Sequence, residues 1–251
     1  MYIDPQSYKC MIGSQSKNLE EFNGIYKWIV CKKTHIIKSR PLIESDIDIL
    51  KQYTPFVYNY FSLEDVQLLK KHFEEVDCSR KISVEIELQN LDFVGIRYKG
   101  IRGSINKAKK LPLIIQHKLN DIQDIKDFVK KWGDVLGDKY FQDHSSKNVY
   151  YFNNNWHEDC INIFCYIGKE LVSFAVLSKP INGYSSYICG KALSDQYPGL
   201  SEFTDLLIYK TGMIDYGVKI VNLGLASKGL LFYKMKFPGS RKQYHYDGKV
   251  L

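Results

Sequence analysis

Apolar residues follow a helical spacing in three long stretches of the chain. These stretches are 62–76, 121–137 and 200–217. In the first of them, Ser62 and Asp65 have the spacing of a capping box ahead of the apolar stripe. Shorter patterns of the same kind predict further helices, and Pro41 is typical of the start of one of them. These shorter helices are 41–53, 104–111 and 227–237.

Between the helices, alternating or continuous apolar runs predict strands. The predicted strands are 24–33, 34–40, 81–88, 91–100, 113–119, 149–152, 161–167, 171–179, 181–193, 219–224 and 244–250. The clean alternation over 81–88 indicates a strand with one face in water. The nearly all-apolar run 219–224 is typical of a central strand. Strands that alternate with helices in this way favour an α/β or α+β fold.

The order of elements is similar in the two halves of the chain. Each half runs from strands into a helix, a strand and a basic segment. A chain of 251 residues is long enough for one large domain or two small ones. We therefore predict two copies of one α/β unit, 1–140 and 141–251, that meet in the loop 138–148. The first copy is expected to be degenerate or to bind the acceptor of a reaction.

Positive charge is concentrated in two places, within a formal net charge of +7. The window 93–120 holds seven basic residues and no acidic one, and 226–251 holds six basic residues against Asp247. This clustering indicates a phosphate-bearing partner such as a coenzyme, tRNA, DNA or an anionic lipid surface. Two solvated basic faces are the alternative. The best candidates for phosphate contacts are Arg97, Lys99, Arg102 and Lys107.

Other composition signals concern the compartment and metals. The start of the chain lacks the basic and apolar pattern of a signal peptide, and no window reaches the ~18 apolar residues of a membrane span. We expect a soluble, cytoplasmic protein with reduced cysteines. His157 and Cys160, with Cys165 further on, supply too few ligands for zinc, which needs four. No metal site is expected.

Candidate chemistry lies in the stretch 219–239, where a strand, a glycine turn and a helix follow one another. The strand end at Asn222 and Gly224 offers free backbone groups, and glycine allows a ligand to approach closely. Lys234 in the following helix is placed to bind a phosphate or the oxyanion of an acyl-transfer transition state. The alternatives are a plain tight turn and an exposed helix lysine.

A general base is sought among Glu202, Asp205 and Asp215 on the predicted helix 200–217. Asp205 lies beside apolar positions, where burial would raise its pKa and suit proton removal from an ammonium. Tyr209, four residues further on, could share a hydrogen bond with Asp205 or serve as the acid. A carboxylate that points to water and a core tyrosine are the alternatives.

The segment NLGLASKGLLFYKMKFPG resembles the closing motif of two related families. These are the Fem-type peptidyl aminoacyltransferases and the C-terminal domain of the phosphatidylglycerol lysyltransferases. The motif runs Gly-Leu-x-x-aromatic-Lys-x-x-Phe-Gly, with Pro238 inserted here before Gly239. Its other positions are Gly229, Leu230, Tyr233, Lys234 and Phe237. The stretch KGIRGSINKAKK resembles a basic element that these families carry upstream, in the same order along the chain.

This resemblance implies an acetyltransferase-like fold, with a mixed central sheet flanked by helices. It also implies transfer of an acyl or aminoacyl group to an amine, with aminoacyl-tRNA or acyl-CoA as co-substrate and no tightly bound cofactor. The donor slot would be a V-shaped split between strands beside Gly224, with Gly229 and Tyr233 among the donor-binding residues.

The coenzyme A signature of acetyltransferases is missing, because only Tyr197, Pro198 and Gly199 precede the helix 200–217. Its absence favours an aminoacyl donor over acyl-CoA. Two other functions stay open. One is an enzyme of the same fold that modifies a nucleic-acid base, which the basic windows and the 19 tyrosines would suit. The other is a non-catalytic module that binds nucleic acid or a partner.

Overall fold

The computed structural model describes residues 20–30, 32–38, 40–136, 148–226 and 228–251. Their strands form one mixed sheet, in the order β1-β2-β3-β4-β11-β5-β10-β9-β8-β7-β6. The strands are β1 (Glu20–Phe22), β2 (Ile25–Val30), β3 (Lys33–Lys38), β4 (Phe56–Phe61), β5 (Val76–Glu87), β6 (Leu113–Gln116), β7 (Ile161–Ile167), β8 (Glu170–Leu177), β9 (Tyr184–Ala192), β10 (Ile220–Leu225) and β11 (Ser240–Val250). The pairs β3–β4 and β9–β10 are parallel, and the other described pairs are antiparallel.

Helices flank this sheet. They are α1 (Asp46–Lys51), α2 (Leu63–His72), α3 (Lys99–Ala108), α4 (Ile122–Leu136), α5 (148–153), α6 (Leu200–Tyr216) and α7 (Lys228–Lys234). A mixed central sheet flanked by helices confirms the predicted fold class. Among the described helices, none combines the length and the apolar character that crossing a bilayer requires.

The two faces of the sheet carry different apolar cores. On β7, Ile163 and Cys165 pack with α3 and α6, whereas their neighbours Phe164 and Tyr166 pack with α4 and α5. Successive strand residues point to opposite faces, so β7 is covered on both sides. This double coverage explains its continuous apolar sequence. A third core packs α1 and α2 against β2–β4 and β11.

The strand predicted at 91–100 is wrong. The chain there forms a loop between two short 3-10 turns, Leu88–Asn90 and Ile96–Tyr98. Gly95 has a φ of 96°, and the Arg102 guanidinium donates to the carbonyls of Phe93 and Gly95. These bonds to a side chain replace those that a neighbouring strand would supply.

The strand predicted at 149–152 is also wrong, because residues 148–153 are helical. Tyr151 and Phe152 are adjacent in sequence and both fully buried. An edge strand with one wet face would expose one of them. Instead Tyr151 packs on Trp156 and Phe152 packs on Phe174, with ring centroids 5.9 and 5.3 Å apart. No strand was predicted at 56–61, where the structure has β4.

β5 and β11 are longer than the predicted strands 81–88 and 244–250, and the polar face of β5 was wrongly predicted to lie in water. The two strands form a continuous antiparallel ladder from Ser240 opposite Ile86 to Val250 opposite Val76. Polar residues of 81–88 were predicted to face water, but Ser83 and Glu85 are 0% and 4% exposed. A polar surface is therefore buried in the middle of the sheet.

The predicted capping box at α2 is confirmed: Ser62 Oγ accepts from the Asp65 amide at 3.2 Å, and Asp65 Oδ2 accepts from the Ser62 amide at 2.6 Å. The predicted halves 1–140 and 141–251 share the sheet, because β10 and β11 of the second pair with β5 of the first. Most of the loop predicted to join them lies outside the described residues. The division into two copies remains a prediction.

Candidate functional site

The parallel strands β9 and β10 separate in the middle of the sheet. Within the described strands, their pairing ends at Asn222 opposite Ser186. Just beyond this pair, β9 contains a bulge. Leu177 of β8 pairs with Tyr187 and Val176 pairs with Cys189, so Ile188 is an extra residue on β9. A bulge bends its strand and increases the local twist. β9 then stays with β8 and β10 stays with β5, so a gap opens between them.

Gly224 lies at this gap, in a bulge of β10. Two steps along β5, from Glu85 to Ser83, lie opposite three steps along β10, from Asn222 to Leu225. Gly224 has a φ of 70°, in the region that favours glycine, and its amide donates to Asn222 Oδ1 at 2.8 Å. The bulge therefore depends on both the glycine and the side chain of Asn222.

Lys234 of α7 reaches into the same bulge. Its ammonium donates to the carbonyl of Leu223 and, at 3.2 Å, to the carbonyl of Gly224. The residue is 9% exposed, so the interpretation of Lys234 as an exposed helix lysine is wrong. Burial lowers the pKa of Lys234 to about 8, while the charge of Asp205 opposes the shift. The ammonium thus lies at the end of the gap, held by two backbone carbonyls of the β10 bulge.

Asp205 of α6 lies beneath the gap, on the face that carries α3, α6 and α7. It is 7% exposed. The Tyr187 hydroxyl donates to Oδ1 at 2.6 Å, and the Tyr233 hydroxyl donates to Oδ2 at 2.8 Å. Burial raises the pKa of Asp205 to about 6, although both tyrosine hydrogen bonds act in the opposite direction. The carboxylate is therefore expected to gain or lose its proton closer to neutral pH than an exposed aspartate does.

Tyr209 does not form the hydrogen bond to Asp205 that the sequence analysis predicted. Among the described residues, the hydroxyl donors to this carboxylate are Tyr187 and Tyr233. The Tyr209 ring is 1% exposed and packs edge-on against Tyr187 and Phe237, with centroids 6.2 and 5.4 Å away. This packing supports the alternative of a core tyrosine.

Three residues of β9 at this site were not predicted from the sequence: Tyr187, Gly190 and Lys191. A Cβ on Gly190 would lie 1.8 Å from the Tyr187 hydroxyl oxygen, so the missing side chain makes room for that hydroxyl. The positive charge of Lys191 lowers the pKa of both Asp205 and Lys234. A glycine inside a strand, which often marks a close approach, was the available signal.

The fold is similar to that of several solved structures. The chain has the fold of FemX. It covers 97% of that structure over 100% of its own length, at a TM-score of 0.61 and 11% identity. L-PGS from Bacillus licheniformis matches at 0.65 and 13% identity, over 98% of this chain and 92% of that one. The C-terminal domain of a putative lysylphosphatidylglycerol synthetase from Agrobacterium fabrum matches at 0.66 and 11%, over 99% and 87%.

A protein of unknown function from Bacteroides thetaiotaomicron also matches, at a TM-score of 0.69 and 10% identity, over 99% of this chain and 93% of that one. No family model and no curated protein sequence matches the chain. The structural matches confirm the resemblance in fold that the two sequence motifs predicted.

The basic segment lies next to α6 in this fold. α3 packs against α6, and a Cβ on Gly199 at the start of α6 would come within 2.0 Å of the Ser104 carbonyl oxygen of α3. Arg97, Lys99 and Lys107 are exposed around this contact. The N-terminus of a helix carries partial positive charge. We call the start of α6 and these exposed basic side chains the positively charged region; Glu202 in the first turn of α6 is paired with Lys236 at 3.3 Å.

Two other predicted donor-binding residues have different surroundings. Arg102 is half-buried, and its guanidinium is used to fix the loop through Phe93 and Gly95. Gly229 is exposed in the first turn of α7, where an added Cβ would meet no atom within 4 Å. Packing therefore does not require a glycine at this position.

Cys160 lies in the core that packs against α4 and α5, with His157 beside it, whereas Cys165 lies in the core on the opposite face of the sheet. His157 packs against Phe152, with ring centroids 4.8 Å apart, and Cys160 Sγ lies 3.2 Å from the Tyr151 hydroxyl oxygen. Groups of three or more potential metal ligands are absent from the part of the chain that the structure describes.

Proposed function

We propose that the protein is an acyl- or aminoacyltransferase, which moves an activated acyl group from aminoacyl-tRNA or acyl-CoA to an amine. One observation carries this proposal. The parallel strands β9 and β10 separate after Ser186 and Asn222, directly beside a buried carboxylate and a buried ammonium. The gap gives an extended donor a slot, and the two charged groups lie at its wall.

The proposed reaction first removes a proton from the acceptor ammonium. The free amine then attacks the donor carbonyl, and the ester C–O or thioester C–S bond breaks as the amide C–N bond forms. Asp205 is the proposed proton acceptor, because its pKa of about 6 leaves it ionised at neutral pH. Both carboxylate oxygens accept from tyrosines, so we propose that the proton passes through the Tyr233 hydroxyl.

Lys234 is the proposed electrostatic partner of the oxyanion. The carbonyls of Leu223 and Gly224 hold its ammonium at the end of the gap, so its positive charge lies beside the place where the donor carbonyl would enter. An ammonium group that is fixed in place before the reaction stabilises the developing negative charge without a reorganisation cost. The pKa of about 8 keeps most Lys234 side chains charged at pH 7.

The phosphates of the donor are proposed to lie at the positively charged region beside the start of α6. Arg97, Lys99 and Lys107 would contact them, while Arg102 shapes the loop that presents Arg97. Apart from this basic segment, residues 1–140 would supply the acceptor side, as the prediction of two halves implies. Nucleic-acid binding enters this proposal through tRNA as the donor.

The test compares the two donor classes directly. Acetyl-CoA is titrated into the protein by calorimetry, and a mixture of aminoacyl-tRNAs is titrated by filter binding at increasing salt. Steep salt dependence, weakened in Lys99→Ala/Lys107→Ala and kept in the control Lys210→Ala on the exposed face of α6, supports an aminoacyl donor. Saturable binding of acetyl-CoA supports the coenzyme. If neither donor yields transfer to any amine of a panel, the proposal is wrong and the non-catalytic module is favoured.

A further inference from the structure

A polar cluster built around the buried Glu85 lies on the sheet face opposite Asp205. We call it the Glu85 cluster, and it consists of Tyr184, Glu85, Glu87, Arg241 and Gln243. Glu85 Oε2 accepts from Arg241 Nη2 at 3.1 Å and from Gln243 Nε2 at 3.0 Å, while Oε1 accepts from the Tyr184 hydroxyl. Arg241 also pairs with Glu87. Two carboxylates and one guanidinium give the cluster a net charge of −1.

The free capacity of this cluster lies on one side of Glu85. Oε2 receives donors from two residues, whereas Oε1 has one described donor, the Tyr184 hydroxyl. A carboxylate oxygen accepts two hydrogen bonds. Oε1 therefore has room for one more donor, and the net charge favours a cationic one.

Ser186 supplies a second, independent sign of a missing ligand. It is 4% exposed, and its Oγ has no hydrogen-bond partner in the part of the chain that the structure describes. A buried hydroxyl without a partner is unfavourable, because it has given up its hydrogen bonds to water. Such groups are rare in native proteins and call for an explanation.

Strand register places this hydroxyl on the same face as the Glu85 cluster. Ser186 is opposite Asn222 on β10, and Asn222 is opposite Glu85 on β5. Directly paired residues share a face, so Ser186 and Glu85 flank Asn222 at a backbone separation of about 10 Å, or two strand spacings. Ser186 and Asn222 are also the last pair before the gap. The site therefore lies at the mouth of the gap, opposite α6.

We propose that Ser186 Oγ and Glu85 Oε1 bind a primary ammonium group at this mouth. An ammonium brings three hydrogen-bond donors and a positive charge, which match one unpaired hydroxyl, one free carboxylate site and a net charge of −1. A phosphate would be repelled by the same cluster. This inference rests on the proposed function, because it assigns the amine of that reaction to the sheet face opposite the donor phosphates.

Direct binding of a simple amine tests the site. Ligand-observed NMR measures n-butylamine against its neutral counterpart n-butanol at low salt and pH 7. We expect wild type to prefer the amine by at least fivefold. Ser186→Ala and Glu85→Gln should reduce the preference below twofold. Glu170→Gln, which alters a half-buried carboxylate paired with Lys131 in the distant β7–β8 hairpin, should keep it.

Equal binding of the two probes to wild type, or an unchanged preference in Ser186→Ala, overturns the proposal. Glu85→Gln leaves Arg241 with one carboxylate and could unfold the protein, which a thermal melt would show. Ser186→Ala removes only a hydroxyl without a partner, so it keeps its fold and decides the question in that case.

Two further measurements separate this inference from the proposed function. If wild type prefers butylamine but transfers nothing from either donor, the function fails and the ammonium site stands. If transfer occurs and Ser186→Ala leaves KM for the amine unchanged, the assignment to the acceptor fails. Aminoacyl-tRNA with a free or an N-acetylated amino group then tests the other source. A preference for the free amine that Ser186→Ala abolishes assigns the site to the aminoacyl group, whereas equal binding of both forms overturns the site.

Discussion

Replacing Asp205 with asparagine removes a buried titratable group at nearly constant size. Burial raises the pKa of Asp205 from 3.8 to about 6. Each unit is equivalent to about 1.4 kcal/mol, so the shift corresponds to about 3 kcal/mol. Because the folded state favours the protonated acid, this contribution to stability is complete below about pH 4. It is lost as the pH rises through about 6, and the variant has no such loss.

Urea unfolding at a series of pH values measures this effect. The free energy of unfolding of Asp205→Asn, relative to wild type, should rise by up to about 3 kcal/mol between pH 4 and pH 8. Asp215→Asn, at the exposed end of the same helix, is the control and should show a small, constant difference. A difference for Asp205→Asn that is the same at both pH values would refute the assigned burial of charge.

The same substitution also tests catalysis. Loss of a general base lowers a rate by roughly 10²–10⁴-fold, so Asp205→Asn should become more stable at pH 8 while it loses most transfer activity. The wild-type rate should fall below about pH 6, as the carboxylate takes up its proton. Unchanged activity in Asp205→Asn would mean that the proton leaves by another route.

Gly190→Ala should lower the free energy of unfolding by about 1–3 kcal/mol, because the new Cβ would collide with the Tyr187 hydroxyl. Urea unfolding measures this change. Gly229→Ala is the matched control, since its Cβ meets nothing, and it should be neutral or stabilising. Arg102→Ala should speed hydrogen exchange in the loop 91–98, whereas Lys107→Ala on the same helix should not; equal protection in both would contradict the role of Arg102. Ser62→Ala should reduce the free energy of unfolding by about 1 kcal/mol through loss of the α2 cap, and an unchanged midpoint in urea would contradict that role.

Local signals in the sequence were enough to predict many of the elements. The capping box of Ser62 and Asp65 and the apolar stripe of α6 involve residues within a few positions of one another. The segment 91–100 shows the limit of such signals. Its apolar residues resemble a strand, but Val94 and Ile96 are 75% and 89% exposed. What decides its conformation is Arg102, a residue beyond the segment, and a periodic pattern does not contain that information.

The candidate site shows the same division between local and distant information. Asn222, Gly224, Tyr233 and Lys234 lie within one short segment, and the structure places that segment at the gap. Tyr187 could not be assigned from sequence, since its contact with Asp205 depends on a bulge in β9 and on how α6 crosses the sheet. Burial of Glu85 likewise depends on pairing with β10 and β11, which are more than a hundred residues away.

The gap between β9 and β10 connects two surfaces of opposite charge. On one face, the start of α6 and the exposed basic residues of α3 add positive charge beside the opposite charges of Lys234 and Asp205; on the other, the Glu85 cluster is negative. A single surface that bound both an anionic donor and a cationic amine would have to attract charges of both signs. The sheet lies between these two charged surfaces. The bulges at Ile188 and Gly224 open it at one point, where the reacting atoms of the proposed function could meet. The charge on each face is therefore as much a part of the proposed function as Asp205 and Lys234 themselves.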